Sequence, residues 1–584
     1  MKLRYIKTIL LLSGVLAMGS CKKKLDINYD PDRIPDSNSP IAQLLTSAQV
    51  NLGFENGSDL YRYSALIMQH MSGGASQANQ TWEYYRYNIT GSDQNNVWGS
   101  IHATTLNDLE LIIKQGASSP YYTGIAKILK AYEYSLVVDV WGKVPYTEAQ
   151  QLTANTQPHY DDDATIYPKL IQLLTDGITD LNATTSVLTP GTNSVIYSNS
   201  TFATAKALWI KLANTLKLRL LLHYSKKDPA FCVAQIQALV NTAGITFLAS
   251  NADNFQVPFF NIANQRSPIS AFEVSRANYL FADRSMINLM NSKADPRLPF
   301  YFTIFPFSFT PFNVSTAAAS SGNTVSFAYS PTIVAGMTVT GGGIGPNTIV
   351  KSVAHTPATT PTTTTITLND DETVGYAIPA IPAATALTFQ PSYRGVSSVK
   401  PPIAPNNNYS RIHTFLRGAV TTGATAPAPY TGTVSPFTYT GDKPQRMISY
   451  AEYCFIRAEA ALMGVTGSTA QQFYTDGITA AMQEVGNTPA EITAYLALNG
   501  TLTGTNAQKL RQIIEEKYIA SFGVSVEPWS DWRRTGYPVI TPPANAVITS
   551  VPRTLFYPQS EIDLNPNNPG QKGADLQSRV FWDN

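Results

Sequence analysis

The sequence predicts a mainly α-helical protein of tetratricopeptide-like helix pairs, with long loops and a small β-rich insertion. Three observations carry this. Apolar residues recur at helical spacing through the first half and again from Ile448. Between Asn313 and Gln390 charged residues nearly vanish, and Thr, Ser, Gly, Val and Ala dominate. The stretch Pro391–Gly441 is rich in Pro, Asn, Gly and Tyr, which break regular structure.

The helices follow from spacing. Ile125, Ile128, Leu129, Tyr132 and Leu136 fall on one face, as do Ile166, Leu170, Leu173, Leu174, Ile178 and Leu181. Leu208, Leu212, Leu216 and Leu220 are one turn apart within Ala203–His223. Asp161, Asp162 and Asp163 precede the second stripe and suit an N-cap and the positive end of a helix dipole. Ala451, Phe455, Ala458 and Leu462 predict a helix in Ile448–Met463, and Leu510, Ile513, Ile514 and Tyr518 one in Ala507–Phe522. Gly464 and Gly523 are the expected terminators. From Glu527 onward Pro and Asn accumulate, so the tail is expected to be ordered loop. No strict repeat exists, but helix pairs of this kind bury their faces only against neighbours.

Inside the insertion, Gly336–Thr340 and Thr348–Val353 flank a Gly-rich turn, Gly341–Asn347, and Thr362–Leu368 leads into Asn369–Asp371. Alternating β-branched residues bounded by Gly, Pro and Asn predict short strands and hairpins.

The N-terminus has its own chemistry. Lys2, Arg4 and Lys7 precede an apolar run from Ile9 to Met18, then Gly19, Ser20 and Cys21. This is the order of a secretory signal, and its apolar run is shorter than the roughly 20 residues that span a bilayer. A cysteine just past small residues resembles a lipobox, from which Cys21 is expected to be the lipidated new N-terminus and Lys22–Asp36 a tether; the competing expectation is an ordinary cleaved signal with Cys21 in the mature chain. Met18 is an unusual residue at its position in that motif. Of the other cysteines, Cys232 and Cys454 sit in helical segments and are expected to be buried free thiols.

Lys plus Arg number 41 and Asp plus Glu 40, a balance that gives no footprint for nucleic acid or an anionic surface. The chain is long enough to need two or more lobes. The six histidines show no spacing for one metal, and no HExxH or GxSxG is present. Gly341–Gly345 lacks a following GK[ST] and is expected to be a hairpin turn. The acid clusters Asp161–Asp163 and Asp370–Glu372 are expected to be a cap and a solvated turn, so no catalytic residue, metal or cofactor is assigned. One cluster suits a sugar: Trp82, Tyr84 and Tyr85, followed by Asn95, Asn96 and Trp98, give rings for stacking and amides for hydroxyls. The competing expectation is a buried aromatic segment.

Several segments together resemble the SusD/RagB family of nutrient-binding lipoproteins from Bacteroidetes. Ile448-Ser-Tyr-Ala-Glu-Tyr-Cys-Phe-Ile-Arg-Ala-Glu-Ala460 is similar to its YAE…IRAEA helix, and Ile513–Ala520 to its QKYIA helix. Glu527-Pro-Trp-Ser-Asp-Trp-Arg-Arg-Thr-Gly-Tyr-Pro538 resembles the WxDWRRTGYP signature. Pro552-Arg553, Tyr557-Pro558, Glu561 and Asn565 follow the family's order, and Val138–Ala149 and Asp295–Pro299 are similar to two N-terminal stretches. Residues 313–390 depart from the family pattern. Read by themselves, these motifs look structural: small residues let helices approach, Arg457, Arg533 and Arg534 are expected to be held by carboxylates or helix-end carbonyls, and Pro145 and Pro538 fix loop entries.

The resemblance implies four tetratricopeptide-like helix pairs with a loop-rich face, on the outside of the outer membrane. It implies non-catalytic capture of oligosaccharide, or of peptide in some members, for a SusC-like TonB-dependent transporter. A surface glycosidase and an adhesive surface protein are the competing classes. The implied organisation is a signal at 1–20, a lipidated, extended segment at 21–45, a helical nutrient-binding lobe at 46–312, the insertion at 313–390, and a loop-rich and helical region at 391–584.

Overall fold

A computed structural model describes residues 39–584 apart from 75–78, 199–200, 306, 308–310, 346–347, 371–376, 399–408 and 423–436. The signal, Cys21 and the tether Lys22–Asp36 lie outside the described residues.

The N-terminal part is helical: α1 (Ile41–Gly57), α2 (Asp59–Ile67), α3 (Gln80–Tyr85), α4 (Gly91–Gly99), α5 (Leu106–Gln115), α6 (Pro120–Trp141), α7 (Asp163–Leu181), α8 (Phe202–His223) and α9 (Pro229–Val240). A π-helical turn, Ser100–Thr105, joins α4 to α5. Short helices α10 (Pro268–Ser275), α11 (Arg284–Ser292), α12 (Leu298–Tyr301) and α13 (Thr414–Arg417) follow. The C-terminal part holds α14 (Tyr450–Leu462), α15 (Ala470–Val485), α16 (Pro489–Asn499), α17 (Asn506–Ala520), α18 (Glu527–Thr535) and α19 (Gln559–Leu564).

Each apolar stripe buries itself on the next helix in the chain. α5 packs on α6, α6 on α7, α7 on α8 and α8 on α9, and later α14 packs on α15 and α17. The α6–α7 crossing is set by two glycines: a Cβ on Gly124 would stand 2.8 Å from the Gly177 carbonyl oxygen, and one on Gly177 2.9 Å from that of Gly124. The main core joins both ends of the chain, with Leu45, Ile128, Trp209, Tyr518, Trp529 and Trp582 in one cluster. Cys232 and Cys454 are buried free thiols.

Three two-stranded antiparallel ribbons brace the helices: β1 (Met71–Gly73) with β3 (Leu280–Ala282), β2 (Phe255–Val257) with β12 (Gln445–Ile448), and β10 (Val420–Thr422) with β11 (Thr438–Tyr439). The insertion is a six-stranded antiparallel sheet of β4 (Phe312–Ser315), β5 (Thr324–Ala328), β6 (Thr338–Thr340), β7 (Thr348–Thr356), β8 (Thr363–Asp370) and β9 (Ala386–Gln390), in the order β4-β9-β6-β7-β8-β5. Val325, Phe327, Val339, Ile366, Leu368 and Phe389 form an apolar cluster of its own. Gly341, Gly342 and Gly343 turn between β6 and β7 at positive φ, which only glycine adopts without strain. Phe305 and Ser392 close the insertion's base by exchanging backbone hydrogen bonds of 2.8 and 3.0 Å.

Four expectations need correction. Glu527–Thr535 is a helix, because Pro528 occupies the first turn, where its missing N–H is harmless, and Gly536 ends the helix in the left-handed region. α1 starts at Ile41, within the stretch expected to be extended, because Ile41, Leu45, Ala48 and Leu52 already bury a helical face. The Asp161–Asp163 run does not cap α7 by side chain. Asp161 instead accepts from the amides of Tyr146 and Thr147 (3.0 and 2.8 Å), and Asp163 from the Phe581 amide (2.7 Å). Within 391–441, α13, β10 and β11 interrupt the loop.

Candidate functional site

The motif residues come together as a buried ion network. Glu452, near the start of α14, receives Arg219 of α8 at 2.7 Å twice. Lys517 of α17 reaches Glu527 (2.9 Å) and Asp531 (2.8 Å) of α18. Arg533 donates to the carbonyls of Asp139 and Arg553 and stacks over Trp529 and Trp582. Arg457 bonds the Tyr453 hydroxyl at 3.0 Å and lies over the Phe473 ring, so an aromatic pair holds it in place of a carboxylate. Despite desolvation, the cations beside Glu527 hold its carboxyl well below the usual range, and the carboxylates beside Lys517 push its ammonium up. Glu452, Lys517, Glu527 and Asp531 pair with opposite charges, while Arg457 and Arg533 are held by rings, a hydroxyl and carbonyls, so these groups hold helices together.

The aromatic cluster divides. It lies on α3 and α4. Tyr84 and Tyr85 are 1% exposed. Their hydroxyls donate to Asp93 (3.0 Å) and Asp283 (2.9 Å), tying α3 to α4 and to the start of α11. Trp98 is 5% exposed, edge-on to Trp141 at 5.2 Å and close over His102. Asn95 accepts from the Ser560 amide at 3.0 Å, satisfying a free N–H at the start of α19. Of the six, Trp82 is half-buried and Asn96 is exposed. The structure thus separates ring faces open to solvent from rings that build the core.

Trp82 is held rigidly. Asn79 caps α3 by accepting from the Trp82 amide (2.8 Å) and donates to the Gly74 carbonyl (2.8 Å). Thr81 bonds the Tyr279 carbonyl at 2.5 Å. The chain threads between α3 and the end of β3 only because Gly73 and Gly74 lack side chains: their Cβ atoms would lie 2.3 Å from the Thr81 carbonyl oxygen and 2.2 Å from that of Asn278. Phe272 and Tyr279, packed edge to face at 6.0 Å, are also half-buried and flank this corner. Behind it Arg411 lies 3.8 Å over the Phe281 ring and bonds Asn278 at 2.7 Å, while Arg394 covers the Tyr409 ring. Burial pushes the Asp283 carboxyl up to about 7, against the hydrogen bonds it accepts from Ser285 and Tyr85. A half-exposed indole held in place by these bonds can stack on a flat ligand, while the buried amide and guanidinium groups behind it hold the corner in shape. Nothing in the sequence marks Phe272 or Tyr279, isolated aromatics in an ordinary stretch; the β1–β3 pairing places them.

Burial pulls His70 and His413 down to about 4 and His102 to about 3, leaving neutral rings. No group of three or more metal-ligating side chains occurs among the described residues, and no helix among them is long and apolar enough to cross a membrane.

A family profile, SusD-like, described as starch-binding associating with outer membrane, matches residues 33–317 and 410–558. The internal stretch left out, 318–409, takes in most of the insertion. Solved structures share the fold. A chitin-binding SusD homologue from Flavobacterium johnsoniae is 19% identical, with 93% of this chain and 97% of that chain covered and a TM-score of 0.63. A SusD-like protein from Bacteroides thetaiotaomicron is 18% identical, with 93% and 98% covered and a TM-score of 0.62. A SusD homologue from Bacteroides fragilis is 19% identical, with 90% and 94% covered and a TM-score of 0.59. No curated protein sequence matches the chain significantly.

Proposed function

The chain belongs to the SusD-like family of outer-membrane-associated binding proteins, and on that premise we propose that it captures glycan oligomers at the cell surface and passes them to a SusC-like TonB-dependent transporter. Cys21 is its lipid anchor and the body faces the cell exterior. The observation that carries the glycan reading is the corner around Trp82: a half-exposed indole fixed by Asn79, on a helix that Thr81 ties to the Tyr279 carbonyl, with the Tyr279 ring packed on Phe272. Flat rings held in place lose little freedom on binding and suit the C–H faces of sugars. The family's description as starch-binding, and the naming of one structural relative as chitin-binding, support glycan over peptide. Capture proceeds without catalysis.

The test is calorimetric titration of the soluble mature protein with starch- and chitin-derived oligosaccharides and with mixed peptides, repeated with Trp82→Ala and Tyr279→Ala. Saccharide binding that falls several-fold to about tenfold in each variant, the loss expected of one stacking platform, supports the site. Peptide binding alone, or saccharide binding indifferent to both variants, overturns it.

A further inference from the structure

Glu55 of α1 and Glu133 of α6 face each other in the core, 4% and 0% exposed. Glu55 Oε1 accepts from Ser100 Oγ at 2.6 Å and from Thr105 Oγ1 at 2.8 Å. Its other oxygen and both oxygens of Glu133 meet no protein donor. The π turn Ser100–Thr105 makes this geometry. Its hydrogen bonds run from i to i+5, so residues 100 and 105 come to one side; in an α-helix they would sit about 140° apart.

The charged groups on the surrounding elements are engaged elsewhere. Lys130 of α6 and Lys114 of α5 pair with Glu110, Arg219 of α8 with Glu452, and Arg62 of α2 with Asp59. Asp108 of α5 has its own partner. Arg446 of β12 pairs with Glu484, and His102 of the π turn contacts Gln150. Tyr132, next to Glu133, donates to Asn56 of α1 at 2.9 Å. Two charged carboxylates in contact in a buried site, with no cation beside them among the described residues, are untenable.

We propose that Glu55 and Glu133 share one proton, forming a proton-linked latch that holds α1 against α6 and the π turn. One carboxyl donates an O–H to the other, and the remaining charge rests on the oxygen that Ser100 and Thr105 already solvate. Burial pushes Glu55 up to about 7 and Glu133 well above its usual range, which agrees with a pair that keeps a proton at neutrality. Because both are raised in the folded state, the latch's contribution is whole below the ordinary carboxyl range near 4.5 and is lost as pH rises through about 7 and beyond. Losing the last shared proton puts a second charge in the core and loosens α1.

The experiment compares thermal midpoints of the mature protein, Glu133→Gln and Glu55→Gln between about pH 5 and about pH 8.5. It adds an infrared search for the carbonyl band of a neutral carboxyl at neutral pH. Expected are a midpoint that falls several degrees further with pH in the wild type than in Glu133→Gln, and a neutral-carboxyl band weaker in Glu133→Gln than in the wild type, whereas Glu55→Gln keeps a neutral carboxyl because Glu133 stays buried without a donor. Parallel pH profiles, or no such band in the wild type, overturn the latch. So does a midpoint raised by Ca²⁺ or K⁺ in the wild type and not in Glu133→Gln, which would make the pair a cation site. Asp283 is itself pushed up to about 7 and adds a neutral-carboxyl band of its own. The infrared arm is therefore read as the wild-type minus Glu133→Gln difference, with Glu133→Asp as the second variant should Glu133→Gln fail to fold; no difference overturns the latch.

Discussion

Arg534 and Glu459 form a two-pronged ion pair with side chains 1% and 4% exposed, Nη2 standing 2.8 Å from Oε2. The pair ties α18 to α14 and so joins the two most recognisable segments of the sequence. Glu459→Ala would leave the guanidinium with Asp531 and Ser225 only, and breaking a buried pair from one side costs about 3–5 kcal/mol. Chemical denaturation should show that loss, with saccharide affinity unchanged in the folded fraction. Replacing both partners by apolar residues of similar volume should recover much of it.

Trp82 and Trp98 should behave oppositely. Trp98 packs against Trp141 and His102, so Trp98→Ala should cost about 3–5 kcal/mol of stability. Trp82→Ala removes a half-buried ring, so it should lower saccharide affinity with a smaller drop in midpoint. Measuring midpoint and binding on the same preparations checks the pair; a large midpoint loss in both would place Trp82 in the core.

Two glycines offer a contrast in packing. Gly124→Ala drives a methyl into the Gly177 carbonyl, and overpacking of this kind costs about 1–3 kcal/mol. Gly99 has helical φ, and a Cβ there meets nothing within 4 Å. Gly99→Ala should therefore stabilise by about 0.4–1 kcal/mol through the unfolded chain. Equal shifts in both variants would refute the role assigned to the α6–α7 crossing.

Removing residues 313–390 with a short Gly/Ser bridge should leave the helical protein intact. The Phe305–Ser392 backbone pair brings the cut ends together, and the sheet carries its own core. Circular dichroism and cooperative unfolding of the shortened chain check this; a molten or aggregated product would show that the sheet belongs to the main core.

Cys21→Ala should release the protein from membranes into the soluble fraction. The chain's apolar N-terminal run is too short to span, so an acyl chain is the expected anchor. Membrane retention at the wild-type level would place the anchor elsewhere.

The helices α6, α7, α8, α14 and α17 were legible in the sequence because a period of 3.6 is written locally in side-chain type. The strands around Gly341–Asn347 were legible for the same reason, with a period of two and glycines at the turn. The segment Glu527–Thr535 is not legible as a helix, because its Pro and charged residues look like loop until Lys517, Glu459 and the core give them partners. The candidate site was half visible. Aromatics and amides near Trp82 were evident, but burial sorted them, and burial depends on which distant segment covers each ring. Tyr279 reaches Thr81 only because β1 pairs with β3, and Glu55 meets Ser100 and Thr105 only because a π turn follows α4. Sequence alone determined periodicity and family. Tertiary structure decided which rings face water and which charges share a dry interior, because solvation belongs to the assembled surface and not to the residue.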